Sequence, residues 1–149
     1  MPNYSPIFTS SADVSWASAP ISGTNYVGGT ALAAYDGTSA SYLVHTANAN
    51  GSFVQKLVCE ANGNTVGTIP ACVLRIYINN SSPVTTATNN TLYYQFSLPA
   101  VPRSDTTATA HIEIPLLLQL PPNYRIYVSI SSTASLLGGW VVTAIAGEY

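Results

Sequence analysis

The sequence predicts an all-β protein: an antiparallel β-sandwich, jelly-roll-like in its wiring, with an extended N-terminal arm. Three observations predict it. From residue 41 onward apolar residues recur with a period of two, as they must where successive side chains take opposite faces of a pleated strand. The apolar runs are separated by Asn-, Gly-, Ser- and Pro-rich segments that favour chain reversal. Only 7% of the 149 residues are charged, against roughly 25% in an ordinary soluble domain. That leaves too little Glu, Lys and Arg for a helical bundle or a coiled coil. An immunoglobulin-like sandwich is the second choice, since the Cys-Trp-Cys pattern of antibody domains is absent.

Residues 1–40 read as the arm. They are small and polar (Ser10-Ser11-Ala12, Ala17-Ser18-Ala19-Pro20, Gly28-Gly29-Thr30), with weak periodicity and room for one or two short strands. Thr30–Ala34 amounts to one helical turn at most. Residues 41–149 read as the sandwich domain. Tyr42–Ala47 and Phe53–Glu60 are its first strands. In the next, Cys72, Leu74, Ile76 and Ile78 alternate with Val73, Arg75, Tyr77 and Asn79. Leu92, Tyr94, Phe96 and Leu98 alternate with Thr91, Tyr93, Gln95 and Ser97. Ile112, Ile114, Leu116, Leu118 and Leu120 alternate with His111, Glu113, Pro115 and Gln119, with an irregularity at Leu117. Tyr124–Ser131 and Trp140–Ala146 complete the set. The turns between them include Asn48–Ser52, Asn79–Pro83, Pro99–Pro102 and Leu120–Asn123.

Composition excludes several functions. The chain is 47% hydrophobic, too apolar for intrinsic disorder. Four Lys plus Arg against six Asp plus Glu offer no electrostatic footprint for nucleic acid. No stretch approaches the roughly 20 apolar residues of a spanning helix, so no membrane is expected. The N-terminus, Met1-Pro2-Asn3-Tyr4-Ser5, lacks the basic and apolar regions of a signal peptide, which predicts synthesis in a cytoplasm. Five N-x-S/T sequons, at Asn3, Asn50, Asn79, Asn80 and Asn89, follow from an Asn/Ser/Thr-rich composition.

Little points to catalysis. His45 and His111 have no ligand-type partner at i+2 or i+4, and His111 falls on a polar face beside Glu113. No H-E-x-x-H, G-x-S-x-G, C-x-x-C or phosphate-cradling loop occurs. Asp13, Asp36, Glu60, Asp105, Glu113 and Glu148 are scattered, so a general acid/base pair would have to be built by the fold. No metal and no cofactor is expected, and the protein is not read as an enzyme. Cys59 and Cys72 read first as small buried hydrophobes. A disulfide is the alternative if their strands are antiparallel neighbours, although cytoplasmic synthesis disfavours it.

The outward parity carries a different signal. Tyr77, Tyr93 and Tyr127, with Arg75 and Arg125, share the polar-face register. Tyr and Arg are enriched where interfaces desolvate. Charge scarcity points the same way, because Lys and Pro are what isolated proteins use to blunt sheet edges, and Lys56 is the only lysine. These features predict a component of a permanent assembly.

Three segments carry a resemblance. Arg75-Ile76-Tyr77-Ile78-Asn79-Asn80 fits a strand reading R-x-[FY]-I into an Asn turn. Leu120-Pro121-Pro122-Asn123-Tyr124 fits L-P-x-[GN]-Y. Ala144-Ile145-Ala146-Gly147-Glu148-Tyr149 fits A-x-[AG]-G-[DE]-[YF]. Over about residues 41–149 the chain resembles small jelly-roll-like proteins encoded with the virion genes of tailed bacteriophages, cyanophages included. The resemblance implies a capsid cement or decoration protein. It would form a homotrimer on the outside of a phage head, with the major capsid protein as partner and the virion as location. Tyr4, Ile7, Phe8 and Trp16 in the arm would then contact neighbours, and Arg75, Tyr77, Tyr93, Arg125 and Tyr127 would form the trimer face. A second function is open: a tail-fibre or adhesin module whose exposed aromatics stack on host glycan.

Overall fold

The structure, a computed structural model, describes residues 11–16, 42–62, 68–102, 104, 106–131 and 139–149. It is an all-β antiparallel sandwich. Its strands are β1 (Ser11–Trp16), β2 (Tyr42–Thr46), β3 (Ser52–Asn62), β4 (Thr68–Ile69), β5 (Cys72–Asn79), β6 (Asn90–Leu98), β7 (Val101–Pro102), β8 (His111–Leu120), β9 (Arg125–Ser131) and β10 (Gly139–Glu148). Every strand expected from the period-two pattern is present. Within the segment read as an arm, Ser11–Trp16 is an edge strand of the sandwich itself. Tyr4, Ile7, Phe8 and the Thr30–Ala34 turn lie outside the described residues.

Eight long strands form two four-stranded sheets, ordered β1-β10-β3-β8 and β2-β9-β5-β6. Among these eight, the first pairs with the last, the second with the seventh, the third with the sixth and the fourth with the fifth. Successive pairs fall in opposite sheets. A long hairpin rolled up on itself has this path, and the wiring is jelly-roll-like. The two short strands prolong the β5·β6 hairpin: Ile69 pairs with Val101 and Cys72 with Leu98. Pro70 and Pro99 lie between those pairs, and their missing N–H groups break the ladder there.

The inward parity of both sheets makes the core. Val54, Leu57, Cys59, Leu74, Ile76, Ile114, Ile126, Val128, Trp140 and Val142 are buried in one cluster. Each fully buried aliphatic side chain contributes roughly 1.5–3 kcal/mol of transfer free energy. Two irregularities run side by side across the first sheet. The β3 register slips between Val54 and Lys56 against both neighbours. Leu116 and Leu117 oppose Gln55 there, and Leu117 takes a left-handed backbone (φ 48°) with its side chain 68% exposed. This bulge is the physical form of the irregularity at Leu117 in the sequence.

One glycine is dictated by the fold. Gly51 has φ 93°, and a Cβ there would lie 2.6 Å from the Leu120 carbonyl oxygen. Its N–H donates to the Asn48 carbonyl, and its own carbonyl accepts from the Tyr149 N–H. Gly51→Ala is expected to cost about 2 kcal/mol through backbone strain and the clash, read as a lowered urea midpoint with an unchanged slope.

The outward parity behaves differently on the second sheet. Tyr77 pairs with Tyr127 and Arg75 with Ser129 across β5·β9. The expectation that Arg75, Tyr77 and Tyr127 form an exposed face is corrected: Arg75 is 5% exposed, Tyr77 is fully buried and Tyr127 is 9% exposed. Alternation fixes which face a side chain takes. It does not say whether that face is itself covered, and on the central strands β5 and β9 it is.

Candidate functional site

Acidic, basic and histidine side chains number twelve, and seven of them fall in two clusters. The first surrounds His45, at the flank where edge strands β1 and β2 of the two sheets meet. A bulge between Leu43 and His45 lets both Val44 and His45 be buried. Asp13 and Ser15 come from β1, Ser52 from β3 and Glu148 from the end of β10.

The imidazole is enclosed. His45 Nδ1 lies 3.2 Å from Asp13 Oδ2 and 3.0 Å from Ser15 Oγ. Its Nε2 lies 2.8 Å from Ser52 Oγ and 3.8 Å from Glu148 Oε1. We assign the neutral tautomer from this network: Nδ1–H donates to the Asp13 carboxylate, and Nε2 accepts the Ser52 hydroxyl. Glu148 Oε2 accepts the Asn48 N–H at 2.9 Å, and the Tyr149 carbonyl accepts the amides of Asn48 and Asn50, each at 3.2 Å. One polar network thus ties β1, β2, β3 and the end of β10 together.

Burial lowers the His45 pKa from its usual 6.5, and Asp13 and Glu148 oppose the shift. The neutral form is therefore favoured by the fold. Its stabilising contribution is complete above pH 6.5 and is lost as pH falls through the lower folded value.

Ser52, His45 and Asp13 have the connectivity of a nucleophile, base and orienting acid. Ser52 is fully buried, however, so its hydroxyl is closed to a substrate. The ligand atoms of Asp13, His45 and Glu148 lie within 4.8 Å of one another. A cation can take only one imidazole nitrogen, and the two carboxylates sit by different nitrogens, both of which already face hydroxyls. The arrangement works as a strut between the sheets.

The second cluster lies on the outer face of the first sheet, where Glu60 pairs with His111 and Val58 with Glu113. His111 Nδ1 contacts Glu60, and Nε2 lies 3.3 Å from Glu113 Oε1, which also receives Lys56 Nζ. These carboxylates raise the His111 pKa, and Lys56 followed by His111 lowers that of Glu113. The groups are at the surface, so water screens them and their worth is small. Sequence placed His111 beside Glu113 on a polar face, and the structure adds Glu60 and Lys56.

The cysteines are not on neighbouring strands. Cys59 lies in β3 and Cys72 in β5, strands of opposite sheets, and both are buried free thiols. Burial, with the neighbouring Cys72 and then Glu60, pushes the Cys59 thiol up to about 12. Burial pushes Cys72 up to about 11, partly offset by the Trp140 indole. That N–H faces the sulfur without reaching conventional hydrogen-bond geometry. Neither thiol ionises near neutral pH, so a thiol reagent is expected to label neither in the folded protein and both in denaturant.

Of the residues expected at an interface, Trp16 is 61% and Tyr93 42% exposed, and Arg125 is half-buried. A shallow hollow of about 260 Å³ lies beside the β5–β6 loop, lined by Ile78, Asn80, Thr88, Asn89, Asn90, Thr91 and Tyr124. The loop is wired by its own amides: Asn79 Nδ2 donates to Asn90 Oδ1 at 2.8 Å, Asn90 Nδ2 to the Val84 carbonyl at 2.7 Å, and Asn89 Nδ2 to the Pro83 carbonyl at 2.9 Å. Among the described residues no helix is long and apolar enough to cross a membrane. No family model, no curated protein and no solved structure matches the chain.

Proposed function

We propose that this chain is a structural virion protein, a capsid cement or decoration protein that binds the outside of a phage head as a homotrimer and bridges neighbouring capsomers. The observation that carries the reading is the edge strand β6. From Asn90 to Leu98 it has no charged residue and no proline, and it presents Tyr93 and Tyr94 at 42% and 48% exposure. An edge of this kind is a template for another protein. The charge-poor surface and the resemblance over residues 41–149 support the same reading. The mechanism is binding without chemistry. Protein bound only to the intact shell stabilises it by mass action, and multivalent seating makes weak contacts add up.

A second reading draws on the hollow beside the β5–β6 loop. Neutral amides and hydroxyls next to Tyr124 suit an uncharged sugar, as in a tail-fibre or adhesin module. One experiment separates the two. Purified chain is mixed with phage heads that lack it and sedimented, and in parallel is applied to a glycan array. Saturable binding to heads at a stoichiometry matching capsomer sites, with delayed thermal rupture, supports cement. Glycan binding without head binding supports the adhesin.

A further inference from the structure

The long strands are not all held in the same way. Seven of the eight place at least one side chain in the apolar core, as Val44 does on β2, Leu98 on β6 and Ile114 on β8. β1 places none there. Four of its six residues are exposed, and only Asp13 and Ser15 are half-buried. These two are its inward residues, and both meet one atom, His45 Nδ1, at 3.2 and 3.0 Å. Among the described residues this is the one hydrogen-bonding tie between β1 and the second sheet. For the rest, β1 is an edge strand held by its ladder to β10. Apolar burial is the dominant favourable term in folding, and a strand that takes no share in it belongs to the low end of local stability.

We infer that β1 is a detachable latch: it leaves the edge of β10 as a unit while the rest of the sandwich stays folded, and the His45 imidazole is the seat that holds it closed. The ladder from Ser11↔Glu148 to Trp16↔Thr143 runs without a register shift, so β1 peels away without disturbing another pairing. β10 keeps β3 on its other side. The seat stays in place as the latch leaves, because β2 is paired with β9 and Ser52 Oγ holds His45 Nε2 at 2.8 Å. Opening uncovers two things. The β10 edge presents the backbone N–H and C=O groups that β1 had occupied, a ready template for an extended strand. The side of His45 that faced Asp13 and Ser15 meets water. Closing is selective for the same reason. The Nδ1–H needs an acceptor, and Asp13 and Ser15 reach it together because a spacing of two puts both on one face of a strand.

Native-state hydrogen exchange of the full chain at fixed pH tests the latch. Amides paired between β1 and β10 are expected to exchange at least about tenfold faster than those paired between β5 and β9. Low urea is expected to leave the β1 rate unchanged, because a local opening exposes little surface, and to speed β5·β9 exchange steeply. Two variants separate a latch from general unfolding. Ile76→Val, a conservative change at a fully buried position of β5, is expected to speed β5·β9 exchange roughly threefold to tenfold and to leave β1 exchange as it was. Asp13→Ala removes the acceptor at Nδ1 and is expected to speed β1 exchange about tenfold. If β1 amides follow those of β5·β9 in urea or in Ile76→Val, β1 opens only with the whole fold and the latch is overturned. An Asp13→Ala protein with the parent's β1 exchange overturns the seat. Should Asp13→Ala misfold, Ser15→Ala makes the same comparison, and the urea series on the parent needs no variant.

Discussion

Replacing His45 with alanine is expected to lower folding stability by about 3 kcal/mol. The imidazole is fully enclosed, with Asp13 and Ser15 on one nitrogen and Ser52 and Glu148 near the other. Its removal leaves a hole in the β1/β2 flank and strands the fully buried Ser52 hydroxyl. An unsatisfied buried hydroxyl costs roughly 1–3 kcal/mol, and a cavity of imidazole size adds about 1–2 kcal/mol. His45→Gln, which can still hydrogen-bond one neighbour, is expected to lose about half as much. The pH dependence supplies a second readout. Because the folded pKa lies below 6.5, the parent loses stability as pH falls below that value, and His45→Gln removes this part of the slope. Urea melts between pH 8 and pH 5 measure both effects. A His45→Ala protein within about 0.5 kcal/mol of the parent, the scatter of neutral surface substitutions, would remove the strut from the account.

Trp140→Ala is expected to cost more, about 4 kcal/mol. Trp140 is the largest fully buried side chain, and its strand, β10, pairs with β1 on one side and β3 on the other. No neighbour can collapse into the volume of an indole without moving a strand. Trp140→Phe is expected to cost far less, since it keeps most of the apolar contact and removes an indole N–H that has no conventional acceptor. Fluorescence distinguishes the tryptophans. Trp16 is 61% exposed and Trp140 fully buried, so Trp140→Phe leaves only the red-shifted, readily quenched emission of Trp16. Loss of the quenchable component instead would mean that the two environments are exchanged.

The strands were legible because their signal is local. Cys72–Asn79 and His111–Leu120 alternate in sequence because adjacent side chains must leave opposite faces of one strand, whatever the rest of the chain does. The Leu117 irregularity was legible for the same reason: it breaks the alternation where the backbone bulges. Trp16, read as an arm residue, and Tyr93, read from its outward parity, are both exposed, and the structure places both on edge strands. Tyr77 and Tyr127 carry the same parity and are buried, so parity alone did not reveal that this part of the outer face is covered.

The His45 cluster shows the limit most clearly. Asp13 precedes His45 by 32 residues and Glu148 follows it by 103, separations at which no spacing rule connects them. Rolling the hairpin brings the first and last strands together beside the second, and only that wiring turns three scattered ionisable residues into one network. The cysteines make the same point in reverse, since their parity was compatible with a cross-strand pair until the topology put β3 and β5 in different sheets. By itself the sequence determined the strand periods, the turns and the scarcity of charge, because these are set by neighbours along the chain and by composition. The tertiary structure alone decided which outward faces are covered, which polar residues meet and where the exposed apolar groups collect, because those depend on contacts between residues that only the folded path brings within a few ångströms.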